Sequence, residues 1–378
     1  MVSAARRHDI DALRSIAVLL LVVFHTARLF DAEPWHMKDL SVPYWAADLI
    51  VRILNVWQMP LLFLLAGISA AYALNRRSGW QFLRERAARL LVPLGIGIFV
   101  LVLPQVYVER ISRGVPLRMS PIDFEDGLAA FLPTYLSCCY PQANFSWHHL
   151  WFLPYLFVYC LPLALVARSA AAPSLAAFAL QRPICLFLPA SLLIALELLL
   201  RPTFPSTHNL VADWANHAHY GFLVLFGWWL ARHRELDAAV DSIRRPALAT
   251  AIVCLLLWLA ALPSIFGGFG LVELSHALRH GTRIIAEWAG LLAVLAYGRR
   301  LLARPLTGLA AFAPLALPFY LYHQTIIVLL GWLLIDWQGQ ALAKALAIAI
   351  GATVVSLMLS ALGARFAVTR AATGMKVL

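Results

Sequence analysis

Residues 13–30 read LRSIAVLLLVVFHTARLF, an apolar run interrupted by Arg14 near its start and His25 near its end. Read as a helix, the eleven-residue step from Arg14 to His25 turns about 1100°, roughly 20° past three full turns, so both side chains share one face. They lie about 16 Å apart along the axis. A cation near a membrane edge and an imidazole near mid-bilayer are costly to keep, so ionisable groups at such depth point first to function. The plainer alternative is an Arg that snorkels to the interface and a His that bonds a neighbouring helix.

The whole chain repeats the character of that run. It has 378 residues, 62% hydrophobic and 13% charged, whereas a soluble protein is about a quarter charged. This composition specifies an all-α polytopic membrane protein, expected as one bundle and one domain over residues 1–378. The net charge of +11 would suggest nucleic acid for a soluble chain. Here the positive-inside rule accounts for it, so lipid is the expected partner and nucleic acid is not. Five cysteines, Cys138, Cys139, Cys160, Cys185 and Cys254, are scattered without disulfide or metal spacing and are expected as ordinary thiols. Asp9, Asp11 and Arg14 interrupt the approach to the first run, and no small-x-small site follows Phe24. The first span is therefore expected to be retained rather than cleaved.

A span needs about 20 apolar residues, and ten segments qualify: 12–31, 45–74, 90–108, 149–168, 183–200, 217–232, 246–263, 282–299, 317–335 and 341–363. With the N-terminus in the cytoplasm, one set of loops collects most basic residues. These are Arg6 and Arg7, the Arg76–Arg89 group, Arg168 and Arg182, the Arg232–Arg245 group, Arg299–Arg304 and Arg365–Lys376. The opposite loops collect acids, among them Asp31, Glu33, Asp39, Glu109, Asp123, Glu125, Asp126, Asp213, Glu273 and Asp336. The basic asymmetry sets the orientation, with both termini cytoplasmic.

Several polar groupings stand out. Asp11 precedes Arg14 by three residues and is in position to pair with it. The second span carries Asp48, Arg52, Asn55 and Met59 at i, i+4, i+7 and i+11, a stripe that lines a substrate cavity or glues helices together. Gly67 and Ser69 allow close helix contact. Arg86 and Arg89 lie one turn apart on a helix entering the membrane, where two guanidinium forks suit phosphate and equally suit lipid headgroups. Trp147-His148-His149 opens the fourth span, but adjacent His residues point about 100° apart on a helix and make no i, i+4 zinc pair. No metal is expected. His276, His280, Arg283 and Glu287 form a polar wall on the eighth span, with Arg283 and Glu287 paired. Tyr322-His323-Gln324 puts a second imidazole inside the ninth span. Glu197 has no assigned role.

Taken together, these residues resemble acyltransferase family 3, ten-span bacterial membrane enzymes that acylate sugars across the membrane. Asp11 through His25 resembles the family's first-helix Arg-x10-His signature, and Arg86-Ala87-Ala88-Arg89 its cytoplasmic Arg-x-x-Arg motif. Pro60 to Ser69 resembles its second-helix segment. His149-Leu150-Trp151-Phe152-Leu153 and Tyr322-His323-Gln324 look more like the subgroup around glucan biosynthesis protein C. The resemblance spans residues 9 to about 365, and no esterase-like appendage is expected.

What the resemblance implies is O-acyl transfer from cytoplasmic acyl-CoA, acetyl or succinyl, to a hydroxyl of an extracytoplasmic glycan or glucan at a bacterial inner membrane. Acyl-CoA would be the donor substrate, with no permanently bound cofactor. Arg86 and Arg89 would hold its phosphates, and Arg14 would act further along the donor. His25 would be general base or transient acyl carrier. Asp48, Arg52, Asn55, His149, Arg283, Glu287 and His323 are the candidates for lining substrate. A secondary transporter is the main rival, since intramembrane ionisable groups suit it equally. A non-catalytic scaffold is the other. The acyl group, the acceptor and the oligomeric state are not legible in the residues.

Overall fold

The computed structural model describes residues 7–39, 44–112, 127–140, 142–166, 173–262 and 274–376. Arg6, Arg168, Asp123, Glu125, Asp126 and Glu273, used above to orient the chain, lie outside them. The described residues are helical, with no strand among them. The chain runs α1 (His8–Ala27), α2 (Tyr44–Leu74), α3 (Gly79–Gly97), α4 (Leu103–Ile111) and α5 (Gly127–Tyr135). It continues through α6 (Phe152–Val166), α7 (Pro173–Gln181), α8 (Pro189–Leu200), α9 (Trp214–Arg232), α10 (Leu236–Ser242) and α11 (Arg244–Ala260). It closes with α12 (His276–Leu301), α13 (Thr307–Phe312), α14 (Ala316–Leu333), α15 (Ala341–Gly363) and α16 (Ala367–Ala372). A π-helical turn, Ile98–Val102, joins α3 to α4, so the third span is longer than the expected 90–108.

This is a polytopic membrane protein, and a helix falls within each of the ten expected segments. Among the described residues, seven helices are by length and hydropathy fit to cross a membrane, or eight if α10 and α11, bent by 56°, form one span. α9 and α12 fall outside that set. Asn216, His217 and His219 lower the hydropathy of the first, and Arg279, Arg283 and Glu287 that of the second.

The residues group into two compact units, and the divisions fall inside α1, α2, α3 and α6 and between α13 and α14. The first unit is Met1–Ala17, Arg52–Arg86 and Tyr155–Ala313. Its tightest seam joins α2 to α9. A Cβ at Gly67 would stand 2.0 Å from the Val224 carbonyl oxygen, and one at Gly227 would stand 2.1 Å from that of Leu64. Only hydrogen fits at either position, as where small residues let helices meet backbone to backbone in lipid. Gln58 ties α2 to α1 by donating to the Ala17 carbonyl at 2.8 Å. The buried Trp288 indole donates to the Leu186 carbonyl at 2.7 Å.

The second unit is Val18–Val51, Ala87–Pro154 and Pro314–Leu378. In it α14 packs on α15. The buried Lys344 ammonium meets Asp39 at 2.6 Å and the Ile335 carbonyl at 3.0 Å. The segment after α1 is pinned by Asp31, which pairs with both Arg28 and Lys38. Burial pushes the Asp31 carboxyl up and the Lys38 ammonium down from their ordinary values. Cys160, Cys185 and Cys254 are free thiols, as expected.

Candidate active site

His25 lies one turn from the C-terminal end of α1, in the second unit. Its ring centroid is 5.1 Å from that of His323 on α14, and it stacks at 6.0 Å on Trp35. His149 stands 5.4 Å from His323, edge to face. Three imidazoles thus meet in the apolar interior of one unit. The hydrogen bonds assign their protons. His323 presents Nδ1 to the Tyr320 carbonyl at 2.7 Å, so Nδ1 carries the proton and Nε2 keeps its lone pair. That Nε2 is buried with no hydrogen-bond partner among the described residues, and so is Nδ1 of His25. His149 donates Nε2–H to the Leu321 carbonyl at 3.0 Å, while the Tyr320 hydroxyl holds the His149 carbonyl. Buried polar atoms without partners are uncommon and mark places where a proton or ligand can be taken up.

A chain of amides runs beside the cluster. Gln324 donates to Gln105 Oε1 at 2.9 Å, and Gln105 donates to Thr325 at 2.7 Å. Gln324 also approaches His36 Nε2 at 3.0 Å, and His36 turns Nδ1–H to Glu109 at 2.6 Å. His148 closes on His36 with ring centroids 4.5 Å apart.

In the first unit, Arg14 donates to the Ser69 hydroxyl and pairs with Asp11 at 3.7 Å, as their spacing foretold. Ser69 in turn donates to the Leu65 carbonyl at 2.7 Å. Arg86 lays its guanidinium over the Phe82 ring at 5.0 Å. A second polar group centres on Glu197, which takes Arg201 at 3.1 Å and Arg283 at 3.1 Å. Arg283 and Glu287 pair at 3.7 Å, and Glu287 meets His219 at 2.6 Å.

The residues chosen from the sequence therefore separate. His25, His149 and His323 converge in the second unit, where Asp48 is fully buried and Arg89 donates to the Gly374 carbonyl at 3.1 Å. Arg14, Arg86, Arg283 and Glu287 belong to the first unit. Arg52 is half-buried there, and Asn55 is exposed. Sequence reasoning passed over His36 and Gln105, used Glu109 only as a loop acid, Gln324 only as a neighbour of His323, and Ser69 only as a small residue. One signal was present: the dipeptide Trp-His occurs at 35–36 and again at 147–148, and both copies deliver their His to the same place. Glu197 and Arg201 stand at i, i+4, a legible spacing that went unread, whereas Arg283 and His219 reach this group from other helices and carried no local signal.

A membrane-embedded helical chain with buried imidazoles and interior arginines defines the class, and comparison with known proteins supplies the family. A family model described as an acyltransferase domain matches residues 7–363. The chain belongs to this acyltransferase family 3. It is also similar to the glucans biosynthesis protein C of Salmonella paratyphi B and of Salmonella heidelberg, each 24% identical over 119 residues. That match covers 30% of this chain and 31% of those relatives, so it spans about a third of their length. No solved structure matches.

Proposed function

We propose that this protein is a membrane O-acyltransferase that moves an acetyl or succinyl group from cytoplasmic acyl-CoA to a hydroxyl of an extracytoplasmic glycan. Family membership supports the reaction class, and the name borne by the Salmonella relatives supports a glucan as acceptor. The reading extends to a bacterial inner membrane, both termini cytoplasmic, with the chain acting as one domain.

The observation that carries it is the unpartnered, buried Nδ1 of His25 on a ring 5.1 Å from that of His323. His25 takes the proton of the acceptor hydroxyl as that oxygen attacks the thioester carbonyl. The tetrahedral intermediate collapses, CoA leaves as thiolate, and the imidazolium returns the proton to it. His323 Nε2, also buried without a hydrogen-bond partner among the described residues, offers a second resting place for the proton. Asp48 and the amides of Gln105 and Gln324 orient the acceptor. Arg14, held by Ser69, acts on the donor, whose phosphates are taken by Arg86 and Arg89, one turn apart on α3. Arg52, Asn55, Arg283 and Glu287 belong to the substrate route rather than to the bond-making atoms.

The test is mass spectrometry of surface and periplasmic glycans from cells lacking the gene and complemented with the wild type or His25→Ala. Acyl groups should be absent with His25→Ala at wild-type expression. Normal glycan acylation by that variant overturns the reading.

A further inference from the structure

His36, Glu109 and His148 come from three separate stretches of the second unit and bring one donor atom each within 4.8 Å of one another. His36 follows α1, Glu109 ends α4, and His148 opens the turn before α6. His36 and Glu109 are only 4% and 1% exposed. Two donor atoms in this group, Glu109 Oε1 and His148 Nε2, are buried with no hydrogen-bond partner among the described residues. His148 is held there at φ 38°, a left-handed conformation that is uncommon for a non-glycine residue and is kept where surrounding structure imposes it. Arg110, next to Glu109, donates to Asn144 at 2.8 Å and to the Ala143 carbonyl at 3.0 Å. It thereby pins the segment that delivers His148.

We propose that His36, Glu109 and His148 form a binding site for a divalent cation of zinc type. Two imidazoles and one carboxylate are a donor set that Zn²⁺ takes, with a fourth position left for an oxygen ligand. The lengths allow it. Donor atoms about 2.0–2.1 Å from a tetrahedral ion stand roughly 3.3 Å from one another. The 2.6 Å contact between His36 Nδ1 and Glu109 Oε2 opens by about 0.7 Å when the ion replaces the bridging proton. Metal uptake releases that proton. His36 Nε2 then carries hydrogen and needs an acceptor. Gln324 is already 3.0 Å away, and its Oε1 is buried with no hydrogen-bond partner among the described residues. Turning that amide over, which gives up the hydrogen bond it now donates to Gln105 Oε1 at 2.9 Å, makes Gln324 the outer partner that orients a ligating imidazole.

The full chain, purified in detergent with any polyhistidine tag removed, is equilibrated with Zn²⁺, freed of excess and analysed for metal by mass spectrometry. Wild type should retain one ion per chain, and Co²⁺ should give the intense visible bands of a four-coordinate site. Glu109→Gln and His148→Ala should lose both signals while eluting as the wild type does, and His208→Ala, in the other unit, should keep them. Glu109→Gln preserves volume, which separates lost ligation from lost folding. Wild type that retains no Zn²⁺, or Glu109→Gln and His148→Ala proteins that retain it undiminished, would overturn the proposal and leave a hydrogen-bonded His–Glu pair in its place.

Discussion

Replacing Gly67 with Ala tests the closest contact in the first unit. The added methyl would sit 2.0 Å from the Val224 carbonyl oxygen, 2.8 Å from its carbon and 3.0 Å from the Trp228 nitrogen. All three are backbone atoms, so no side chain can swing aside. Ordinary contact begins at 3.4 Å, so α2 and α9 must part by more than an ångström at this point. A gap of 0.5–1 Å forfeits about a quarter to a half of each dispersion contact across it. The cost falls at the top of the usual overpacking range, about 3 kcal/mol, or roughly 150-fold in the folded-to-unfolded ratio. Gly227→Ala strains the same seam from the other side, 2.1 Å from the Leu64 oxygen, and should cost about as much. Because the first substitution has already opened the seam, the double variant should fall short of the sum by about 1–2 kcal/mol. Gly95, with nothing within 4 Å of its added Cβ, is the control, and Gly95→Ala should be neutral or slightly stabilising. Unfolding in detergent, followed by denaturant titration, reads all four. A Gly67→Ala protein as stable as wild type, or full additivity in the double, would refute the backbone contact.

Other consequences follow from the same geometry. His25→Gln and His323→Gln should each lower acyl-transfer turnover by about 10²–10⁴; the double should be little worse than either single variant, because residues acting as a unit are not additive. Lys344→Met leaves Asp39 charged and buried and should cost about 3–5 kcal/mol in detergent unfolding, and adding Asp39→Asn should recover much of it. Partial burial lowers the His208 imidazole from 6.5 to about 4, so the folded chain binds fewer protons than the unfolded chain between those values. Stability should therefore fall as pH drops from 6.5 towards 4 and stay level above 6.5. His208→Asn, which tolerates φ 54°, should flatten that slope, as read by unfolding at stepped pH.

Much of the helical order was legible because lipid leaves a chain few options. An apolar run of span length such as 13–30 must satisfy its backbone internally and so becomes helix. Periodicity likewise foretold the Asp11–Arg14 and Arg283–Glu287 pairs, since i, i+3 and i, i+4 neighbours are fixed by helix geometry alone. It also drew attention to Gly67, although not to the helix it would meet. The span count was less legible: polar residues in α9 and α12 hold their hydropathy down, so composition alone supports seven or eight crossings where patterning suggested ten.

Local pattern has no reach across hundreds of residues, and there the divergence begins. Arg86 and Arg89 share a helix turn, yet one guanidinium lies on Phe82 and the other donates to Gly374, 285 positions away. His25 could be singled out as costly, but not as the neighbour of His323 and, through it, of His149. The sequence by itself determined which segments are helical and which ionisable side chains are buried at a cost, because a helix repeats every 3.6 residues and water is absent from lipid. Only the tertiary structure decided who their partners are. It brought donor atoms of His36, Glu109 and His148 within 4.8 Å of one another and left Asn55 exposed, because partner choice depends on which helix faces pack together, and no periodicity encodes that.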